Sequence, residues 1–362
     1  MIYAVAMSGG VDSSVAAYLL KKEGHQVIGF TMNHFDDSDP IFKPDSISKA
    51  IYDAQQVCKI LEIDHYTIDL KEPFFKIVIN DMLNEYKNGF TPNPYTICNP
   101  RIKWGKFPEE IQKIILDKFH TSEFKLATGH YAKKIYIDDK PALIRPEDKS
   151  KDQTYMLWRL SSEQLNNTEF PLSGFTKDIT RKLAAEANIP VAEKKDSQDI
   201  CFINDKYTDF IANFLENKTG KILFHDGKAI GNHLGLHNYT IGQRKGLIPW
   251  NKPLYVLKID AQNNCLIVTD DVKKLEAKTF SIRNLNLIRE NLPLNTENLF
   301  VKIRYNSQEV KVANLTQRDH DLIVELLEPE KSITPGQSAV LYRHDELVGG
   351  GIIDKVFHED HI

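Results

Sequence analysis

Short apolar runs alternate with amphipathic segments over about the first 200 residues of the chain. The apolar runs predict buried strands, at 2–7, 25–32, 65–70 and 124–130. Helical spacing of apolar positions predicts the helices between and before them, at 13–24, 46–61, 73–86 and 108–119, with Gly24 ending the first. Such alternation predicts parallel βαβ units in a doubly wound sheet of the α/β class. Ligands of these sheets bind at the carboxyl ends of the strands.

The pattern changes after about residue 206. A helical pattern at 207–218 precedes short segments, separated by Asn, Gly and Pro, in which apolar and polar residues alternate. Such segments predict strands of a small antiparallel barrel, at 300–306, 308–315, 320–327 and 337–344. We therefore expect three domains: a catalytic parallel-sheet domain at 1–206, a small central domain at 207–274 and a C-terminal antiparallel β-barrel at 275–362.

Composition narrows the class of protein. With 41% hydrophobic and 27% charged residues the chain is typical of a soluble globular protein. It contains no apolar run of about 18 residues, and its first residues lack a basic signal-peptide region, so we expect a cytosolic protein that does not associate with membranes. Residues 101–160 carry 13 Lys and Arg against 9 Asp and Glu, which suits either ordinary solvated helices or a nucleic-acid partner.

Four cysteines in a chain of 362 residues do not make a disulfide scaffold, and none has a neighbour at zinc-site spacing. Cys98 ends the segment TPNPYTICN (91–99), in which Pro92 and Pro94 restrict the backbone. We expect Cys98 at the end of a stiff, extended loop. The residues alone leave open whether it is a nucleophile, a metal ligand, half of a disulfide or core filler.

The segment SGGVDSS (8–14) joins the first predicted strand to the first predicted helix. It has neither the Walker A ending nor the GxGxxG spacing. Gly9 and Gly10 permit close backbone approach, three serines offer hydroxyls, and the helix that follows directs N–H groups at an anion. A phosphate site is therefore favoured over a tight turn capped by Asp and Ser.

The SGGxDS pattern resembles the PP-loop of the N-type ATP pyrophosphatases, which split ATP between its α- and β-phosphates. The resemblance implies an adenine nucleotide alpha hydrolase-like fold, with ATP and Mg²⁺ as cofactors. Asp12 would help to hold Mg²⁺, Met32 would contact the adenine, and Gly129 would contact ATP. The phosphates would be lined by Ala6, Met7, Ser8, Gly9, Gly10, Val11, Asp12 and Ser13.

Further segments extend the resemblance over nearly the whole chain. They are TPNPYTICN (91–99), ATGHYA (127–132), KDQTYMLWRL (151–160), KKDSQDICFI (194–203), NYTIGQRKGL (238–247), PGQSAVLY (335–342) and GGGII (349–353). In this order they resemble the tRNA-specific 2-thiouridylases. The resemblance implies ATP-dependent replacement of O2 by sulfur at the wobble uridine of tRNAs of the Lys, Glu and Gln type. It also implies a persulfide sulfur-donor protein as a partner, and a monomeric enzyme.

The resemblance implies a role for two of the cysteines. Cys201 would carry the persulfide, and Cys98 would be the second thiol, a nucleophile that forms a transient disulfide with Cys201. Cys58 and Cys265 match no motif, and we interpret them as structural.

The resemblance also implies contacts with tRNA. Asn93, Pro94 and Tyr95 match positions that meet the target base, which must leave the anticodon stack. Other predicted tRNA contacts are His130, Lys151, Asp152, Gln153, Arg304, Tyr305 and Gln337. Many family members have Asp where this chain has Tyr95. A phenol with a pKa of about 10 cannot replace a carboxylate, so Tyr95 would hydrogen bond or stack on the base instead.

Two other functions compete with thiolation. SGGVDSS alone allows a PP-loop ligase that adenylates a small carboxylate or amide, but the paired motif cysteines and the β-rich C-terminal third oppose it. A tRNA-binding protein with a vestigial nucleotide site is favoured by Tyr95 alone and opposed by intact SGGVDSS, Cys98 and Cys201.

Overall fold

A computed structural model describes residues 1–194, 200–204, 206–289, 295–318 and 321–358. Its N-terminal sheet has five parallel strands: β1 (Ile2–Ala6), β2 (Gln26–Asn33), β3 (Asp64–Asp69), β4 (Lys125–Ala127) and, after a hairpin of β5 (Lys133–Ile137) and β6 (Lys140–Ile144), β7 (Thr168–Glu169). The strand order is β3-β2-β1-β4-β7.

Both faces of this sheet are covered. Alternate residues of β1 enter two hydrophobic clusters, since Ile2 and Ala4 pack on one face while Tyr3 and Val5 pack on the other. The helices of this region are Val11–Lys22, Ser46–Ile60, a continuous helix over 71–87, a second over 95–119, and the shorter Ser162–Asn166 and Lys177–Glu186. The predicted doubly wound sheet is confirmed, and Gly24, with φ +84°, lies just beyond the first helix as expected.

Two of these helices contain π-helical stretches. The helix over 71–87 widens at Phe75–Ile79, and the helix over 95–119, called the 95–119 helix below, widens at Asn99–Lys106. Single-residue or single-turn π-segments occur frequently at functional sites. Pro100 lies at the start of the second stretch, where it has no N–H to donate.

The prediction of an extended loop that ends at Cys98 is wrong. Tyr95–Cys98 is the first turn of the 95–119 helix, which begins directly after Pro94. Pro94 has φ −62° and ψ −22°, values close to those of a helix, because the proline ring fixes φ near the helical value. Pro94 therefore starts the helix rather than excluding it.

The central part of the chain starts with the helix Tyr207–Ala212, which is shorter than the predicted 207–218. The Asn213 side chain donates to the Asp209 carbonyl at 3.0 Å and so competes with continuation of the helix. A four-stranded sheet follows, made of β8 (Gly220–Phe224), β9 (Ala229–His233), β10 (Tyr255–Asp260) and β11 (Cys265–Thr269), in the order β10-β11-β8-β9.

The C-terminal strands close into the predicted antiparallel barrel. They are β12 (Glu276–Leu287), β13 (Leu299–Lys302), β14 (Val310–Arg318), β15 (Asp321–Lys331), β16 (Ser338–Arg343) and β17 (Glu346–Phe357). Their order is β12-β15-β14-β13-β16-β17, and pairing of β12 with β17 closes the ring. The β5–β6 hairpin extends this sheet through pairing of β6 with β17, which joins the first region of the chain to the last. The domain boundaries near 206 and 275 stay a prediction.

Short 3₁₀ turns complete the described secondary structure, at Lys149–Lys151, Thr154–Leu157, Leu236–Asn238 and Val272–Leu275. Within the described ranges, no helix combines the length and the apolar character needed to cross a bilayer.

Candidate active site

The phosphate loop (residues 8–14) is curled by bonds between its own residues. The Ser8 N–H donates to Ser13 Oγ at 3.1 Å, and the Ser14 hydroxyl donates to the Gly10 carbonyl at 2.8 Å. Gly9 has φ +66°, and a Cβ there would lie 2.5 Å from the Ala50 carbonyl oxygen, so this position requires glycine. No side chain caps the helix that begins at Val11, so its first N–H groups are directed at the loop as an anion site would need.

Gly129 packs directly against the backbone of this loop. It follows β4, the neighbour of β1, so both strands deliver their carboxyl ends to one edge of the sheet. A Cβ at Gly129 would lie 2.5 Å from Ser13 N and 2.6 Å from the Asp12 carbonyl carbon. Met32, near the end of β2, reaches the same edge on the other side of β1. The residues predicted to contact ATP therefore lie at or just beyond the carboxyl ends of three adjacent strands.

Asp12 is paired with a lysine that the sequence did not indicate. Lys177 Nζ lies 2.7 and 2.8 Å from the two Asp12 carboxylate oxygens, and the Tyr131 hydroxyl donates to one of them at 3.2 Å. Mg²⁺ is usually held by one or two carboxylates together with substrate phosphates and water. Within the described residues no three His, Cys, Asp or Glu side chains form a group that could hold a metal ion. The magnesium role of Asp12 therefore stays a prediction.

Cys98 and Cys201 lie near each other and pack against the same hydrophobic cluster, although 195–199 between Lys194 and Cys201 falls outside the described residues. Both thiols are free, and both pack against the hydrophobic cluster that Met32 also contacts. Burial raises the pKa of Cys98, and burial together with the nearby Cys98 raises the pKa of Cys201 to about 12. Both are therefore protonated thiols at neutral pH in this state, close enough to influence each other.

A histidine that the sequence did not single out touches the second thiol. His34 Nε2 lies 3.5 Å from Cys201 Sγ, and its other ring nitrogen lies 3.4 Å from the Met32 carbonyl oxygen. Burial lowers the pKa of His34 to about 4, so its imidazole is neutral at pH 7. Its position two residues beyond Met32, at the carboxyl end of β2, was the signal that could have found it.

Both sides of the 195–199 segment are fixed to the site. Lys194 Nζ donates to the Gly9 carbonyl at 2.8 Å and pairs with Asp53 at 2.7 Å. On the other side, the ring of Phe202 packs edge-on against Phe74 with centroids 5.4 Å apart. These contacts fix Lys194 to the phosphate loop and Phe202, next to Cys201, to the hydrophobic core.

The residues predicted to meet the target base start the 95–119 helix. Asn93 Oδ1 accepts from the Tyr95 N–H at 3.1 Å, and the Asn93 carbonyl accepts from the Thr96 hydroxyl at 2.8 Å. Pro94 is buried, and the half-buried Tyr95 stands at the first helical position, one turn before Cys98.

Thr91, at the start of the same motif, joins three parts of the chain. Its hydroxyl lies 2.8 Å from the Thr240 hydroxyl of the central region. Its N–H donates to the Pro335 carbonyl at 2.9 Å, and its own carbonyl accepts from Gln337 Nε2 at 2.6 Å. Gln337, predicted to contact tRNA, therefore joins the barrel by a hydrogen bond to the segment that leads into Cys98.

Other predicted tRNA contacts divide into two groups. The Gln153 side chain accepts from the Tyr131 N–H at 2.9 Å, and the Tyr305 hydroxyl donates to the Asp152 carbonyl at 3.2 Å, so these residues lie together with Lys151 where β5, β6 and the barrel meet. Arg304 instead bonds the Lys331 carbonyl at 3.1 Å on the barrel.

His130 lies just beyond β4 and packs against Trp104 of the 95–119 helix. One ring nitrogen lies 2.9 Å from the Thr128 hydroxyl, and its ring centroid is 5.5 Å from that of Trp104. Burial lowers the pKa of His130 well below its ordinary value, so the ring is neutral at pH 7. The cysteines predicted to be structural lie elsewhere: Cys58 is buried beside Gly29, and the Cys265 thiol donates to the Asn263 carbonyl at 3.3 Å.

Models of three protein families match successive parts of the chain. They are described as a tRNA methyl transferase HUP domain at residues 1–205, a tRNA methyl transferase PRC-barrel domain at 208–270 and an aminomethyltransferase beta-barrel domain at 277–353.

Individual relatives match over nearly their full length. A protein named tRNA-specific 2-thiouridylase MnmA 1 from Caldanaerobacter subterraneus subsp. tengcongensis is 41% identical over 97% of each chain. Proteins named tRNA-specific 2-thiouridylase MnmA from Natranaerobius thermophilus and Rickettsia massiliae are 38% and 39% identical, over 97% of this chain and 96% of theirs. None of these names repeats the methyl transferase of the family descriptions.

Proposed function

Because this chain belongs to the tRNA-specific 2-thiouridylase family, we propose that it replaces O2 of the wobble uridine with sulfur in tRNAs of the Lys, Glu and Gln type. ATP drives the reaction and leaves as AMP and pyrophosphate. The observation that supports the proposal is the closeness of Cys98 and Cys201, with Cys201 beside His34 at the carboxyl end of β2.

ATP is needed because a carbonyl oxygen on a pyrimidine is a poor leaving group. In the proposed first step, O2 of the flipped uridine attacks the α-phosphate of ATP, and the bond to pyrophosphate breaks. The phosphate loop and the N-terminus of the helix Val11–Lys22 bind the phosphates. Gly129, which has no side chain, lets the turn after β4 pack closely against the backbone of the loop. AMP, now bonded to C2 through O2, is a good leaving group.

Sulfur arrives on Cys201 as a persulfide, loaded by a donor protein. The terminal sulfur attacks C2 of the adenylated base, a C–S bond forms, and the C–O bond breaks as AMP leaves with its electron pair. Cys98 as thiolate then attacks the sulfur of Cys201, so that a Cys98–Cys201 disulfide forms and the outer sulfur stays on the uridine. A thiol reductant returns the disulfide to two thiols for the next cycle.

Tyr95 gives this chain a base contact without a carboxylate. Its place at the start of the 95–119 helix, one turn before Cys98, suits a ring that stacks on the flipped uracil or a hydroxyl that bonds to it. The other tRNA contacts are proposed at Asn93, Pro94 and His130 in the catalytic region, and further out at Lys151, Asp152, Gln153, Arg304, Tyr305 and Gln337.

Thiolation can be tested directly with unmodified tRNA. Protein, ATP, Mg²⁺ and a persulfide source should convert the tRNA to a form that is retarded in a mercury-containing gel. Cys98→Ser and Cys201→Ser should both abolish the retardation, while Cys201→Ser keeps tRNA-dependent release of pyrophosphate. Cys265→Ser is the matched control, because that thiol lies on β11 and should leave thiolation unchanged.

The same assay separates the competing functions. Pyrophosphate release with small carboxylates but not with tRNA would favour the small-molecule ligase. Tight binding of tRNA without any pyrophosphate release would favour a protein with a vestigial nucleotide site. Thiolation by Cys201→Ser at the wild-type rate would refute the persulfide role.

A further inference from the structure

The 88–94 segment joins the helix over 71–87 to the 95–119 helix and has no helix or strand of its own. It contains Asn93, one of the residues proposed to meet the target base. Gly89 has φ +79°, and the two prolines of the segment have no N–H to donate. Contacts from other parts of the chain therefore have to fix the path of this segment.

Arg283, on β12 of the barrel, supplies such contacts in three directions. Its Nη2 donates to Glu85 Oε2 at 2.6 Å, near the end of the helix over 71–87. Its Nε lies 3.3 Å from Asp354 Oδ1 on β17, and its guanidinium carbon lies 5.0 Å from the centroid of the Phe90 ring. A guanidinium pairs with carboxylates in its plane while its face stacks on an aromatic ring. Arg283 therefore fixes Phe90 relative to both the helix and the barrel.

Glu85 contacts the same segment through its backbone. Its carbonyl accepts from the Phe90 N–H at 3.0 Å, while its side chain accepts from Arg283. The exposed fractions of the two paired side chains are 27% for Arg283 and 20% for Glu85. Pairs that are partly shielded from solvent are screened less by water and salt than exposed pairs. This ion pair thus joins the helix, the start of the segment and the barrel.

Arg283 and Glu85 also line a cavity of about 60 Å³, which Asn93 and Thr96 line as well. The ion pair therefore lies near both ends of the segment. Asn93 in turn holds the first turn of the helix that follows, through the Tyr95 N–H and the Thr96 hydroxyl. A shift of the segment would accordingly move the residues proposed to meet the base.

The barrel backbone packs on the same segment. Gly336 has φ +94°, and a Cβ there would lie 2.7 Å from Thr91 N and 2.9 Å from Phe90 Cβ. The hydrogen bonds of Thr91 to Pro335 and Gln337 lie next to this close approach. The barrel therefore contacts the segment through both its backbone and its side chains.

We propose that Arg283 is a positioning residue for thiolation, which holds the 88–94 segment where the flipped uridine has to meet ATP. The barrel then has a second role beside contact with tRNA, because it sets the position of residues that meet the base. This inference rests on the proposed thiolation. Arg283 contacts neither tRNA nor ATP in this role, and acts through Glu85 and Phe90.

Hydrogen exchange measures the positioning without any substrate. Arg283→Met keeps a long side chain but removes the charge and the planar donors. Amide exchange in the 88–99 peptide should become faster by about tenfold, and exchange in the 11–22 peptide should stay unchanged. Arg289→Met is the matched control, since Arg289 lies just beyond β12 and pairs with Glu346 at 2.8 Å. Exchange in the 88–99 peptide should not change in that variant.

Single-turnover thiolation at saturating tRNA separates positioning from stability and from binding. Arg283→Met should slow thiolation by about 10- to 100-fold with tRNA affinity unchanged, because a displacement of about 1 Å costs about 10²-fold in a reaction that depends on positioning. Arg289→Met should lower the midpoint of urea unfolding as Arg283→Met does, but should keep the wild-type rate. Equal slowing in the two variants would reduce Arg283 to a stabilising residue and refute the positioning role.

A double-mutant cycle tests whether Arg283 acts through Glu85. Glu85→Gln should slow thiolation by itself, and adding Arg283→Met should slow it little further, because both substitutions remove one pair. Additive losses, or weaker tRNA binding with unchanged exchange, would assign Arg283 to a direct contact with tRNA and overturn the inference. Should Arg283→Met fold poorly, Glu85→Gln and Arg283→Lys repeat the exchange and rate measurements. Wild-type exchange and rate in both of these variants would be equally contradictory.

The two proposals fail in different ways. Absence of thiolation by the wild-type protein would remove the proposed reaction, while faster exchange in Arg283→Met would still show that Arg283 positions the segment. Unchanged exchange in Arg283→Met, with thiolation intact, would remove Arg283 from a reaction that still operates.

Discussion

Replacing Gly129 with alanine tests whether ATP chemistry depends on close packing of the turn after β4 against the backbone of the phosphate loop. The new Cβ would lie 2.5 Å from Ser13 N and 2.6 Å from the Asp12 carbonyl carbon, whereas contacting heavy atoms normally sit about 3.5–4.0 Å apart. Because the opposing atoms are backbone, no side chain can rotate away, and the turn must separate from the loop by about 1 Å. A displacement of about 1 Å costs about 10²-fold in a reaction that depends on positioning.

We therefore expect Gly129→Ala to slow tRNA-dependent pyrophosphate release about 100-fold and to weaken ATP binding measured by calorimetry. Overpacking should lower the free energy of unfolding by about 1–3 kcal/mol, which urea titration would measure. Gly174→Ala is the matched control, since a Cβ there meets nothing within 4 Å, and tRNA affinity should be unchanged in both variants. Pyrophosphate release at the wild-type rate in Gly129→Ala would refute this reading of the loop.

Three further predictions follow from single contacts. Tyr95→Phe should keep thiolation, whereas Tyr95→Ala should lose about 10- to 100-fold in single-turnover rate, because stacking on a base contributes about 1–3 kcal/mol. Equal losses in both variants would assign the role to the hydroxyl. Tyr95→Asp would show whether the carboxylate of many relatives adds to the rate. The unfolded chain binds a proton at His34 below pH 6.5 that the folded chain, with a His34 pKa of about 4, does not bind. The free energy of unfolding should therefore fall by up to about 3 kcal/mol between pH 6.5 and pH 4, and urea titrations of His34→Gln should show a smaller fall; equal slopes would contradict it. Gln337→Ala removes the hydrogen bond to the Thr91 carbonyl, so amide hydrogen exchange should become faster in the 91–99 peptide and stay unchanged in the 11–22 peptide. Unchanged exchange in both peptides together with weaker tRNA binding would mean that the Gln337 amide contacts tRNA alone.

Local pattern predicts four of the five strands of the N-terminal sheet, all but the two-residue β7. A run such as 2–7, too short for a helix and followed closely by two glycines, marks a strand buried on both faces, and Ile2 and Tyr3 do pack on opposite faces. The phosphate loop was likewise visible because its glycines and serines are contiguous. Four of the six barrel strands, β13 to β16, follow from simple alternation of apolar and polar residues, whereas β12 and β17 were not predicted.

Contacts between distant residues could not be predicted from local pattern. Lys177 is 165 residues from Asp12, and nothing near either residue indicates the pair. The pairing of β6 with β17 is equally non-local. The helix at Cys98 was missed for a different reason: proline breaks a helix in its interior, but Pro94 stands directly before the first helical residue, where its fixed φ already suits a helix.

The most direct test follows one labelled sulfur atom. Protein loaded with radioactive sulfur from a persulfide donor should carry the label on the peptide that contains Cys201. Addition of unmodified tRNA alone should leave the label there, and addition of ATP and Mg²⁺ should move it to 2-thiouridine, with a Cys98–Cys201 disulfide appearing in equal amount. Label that stays on the protein, or that reaches tRNA at the wild-type rate in Cys201→Ser, would contradict the proposed relay.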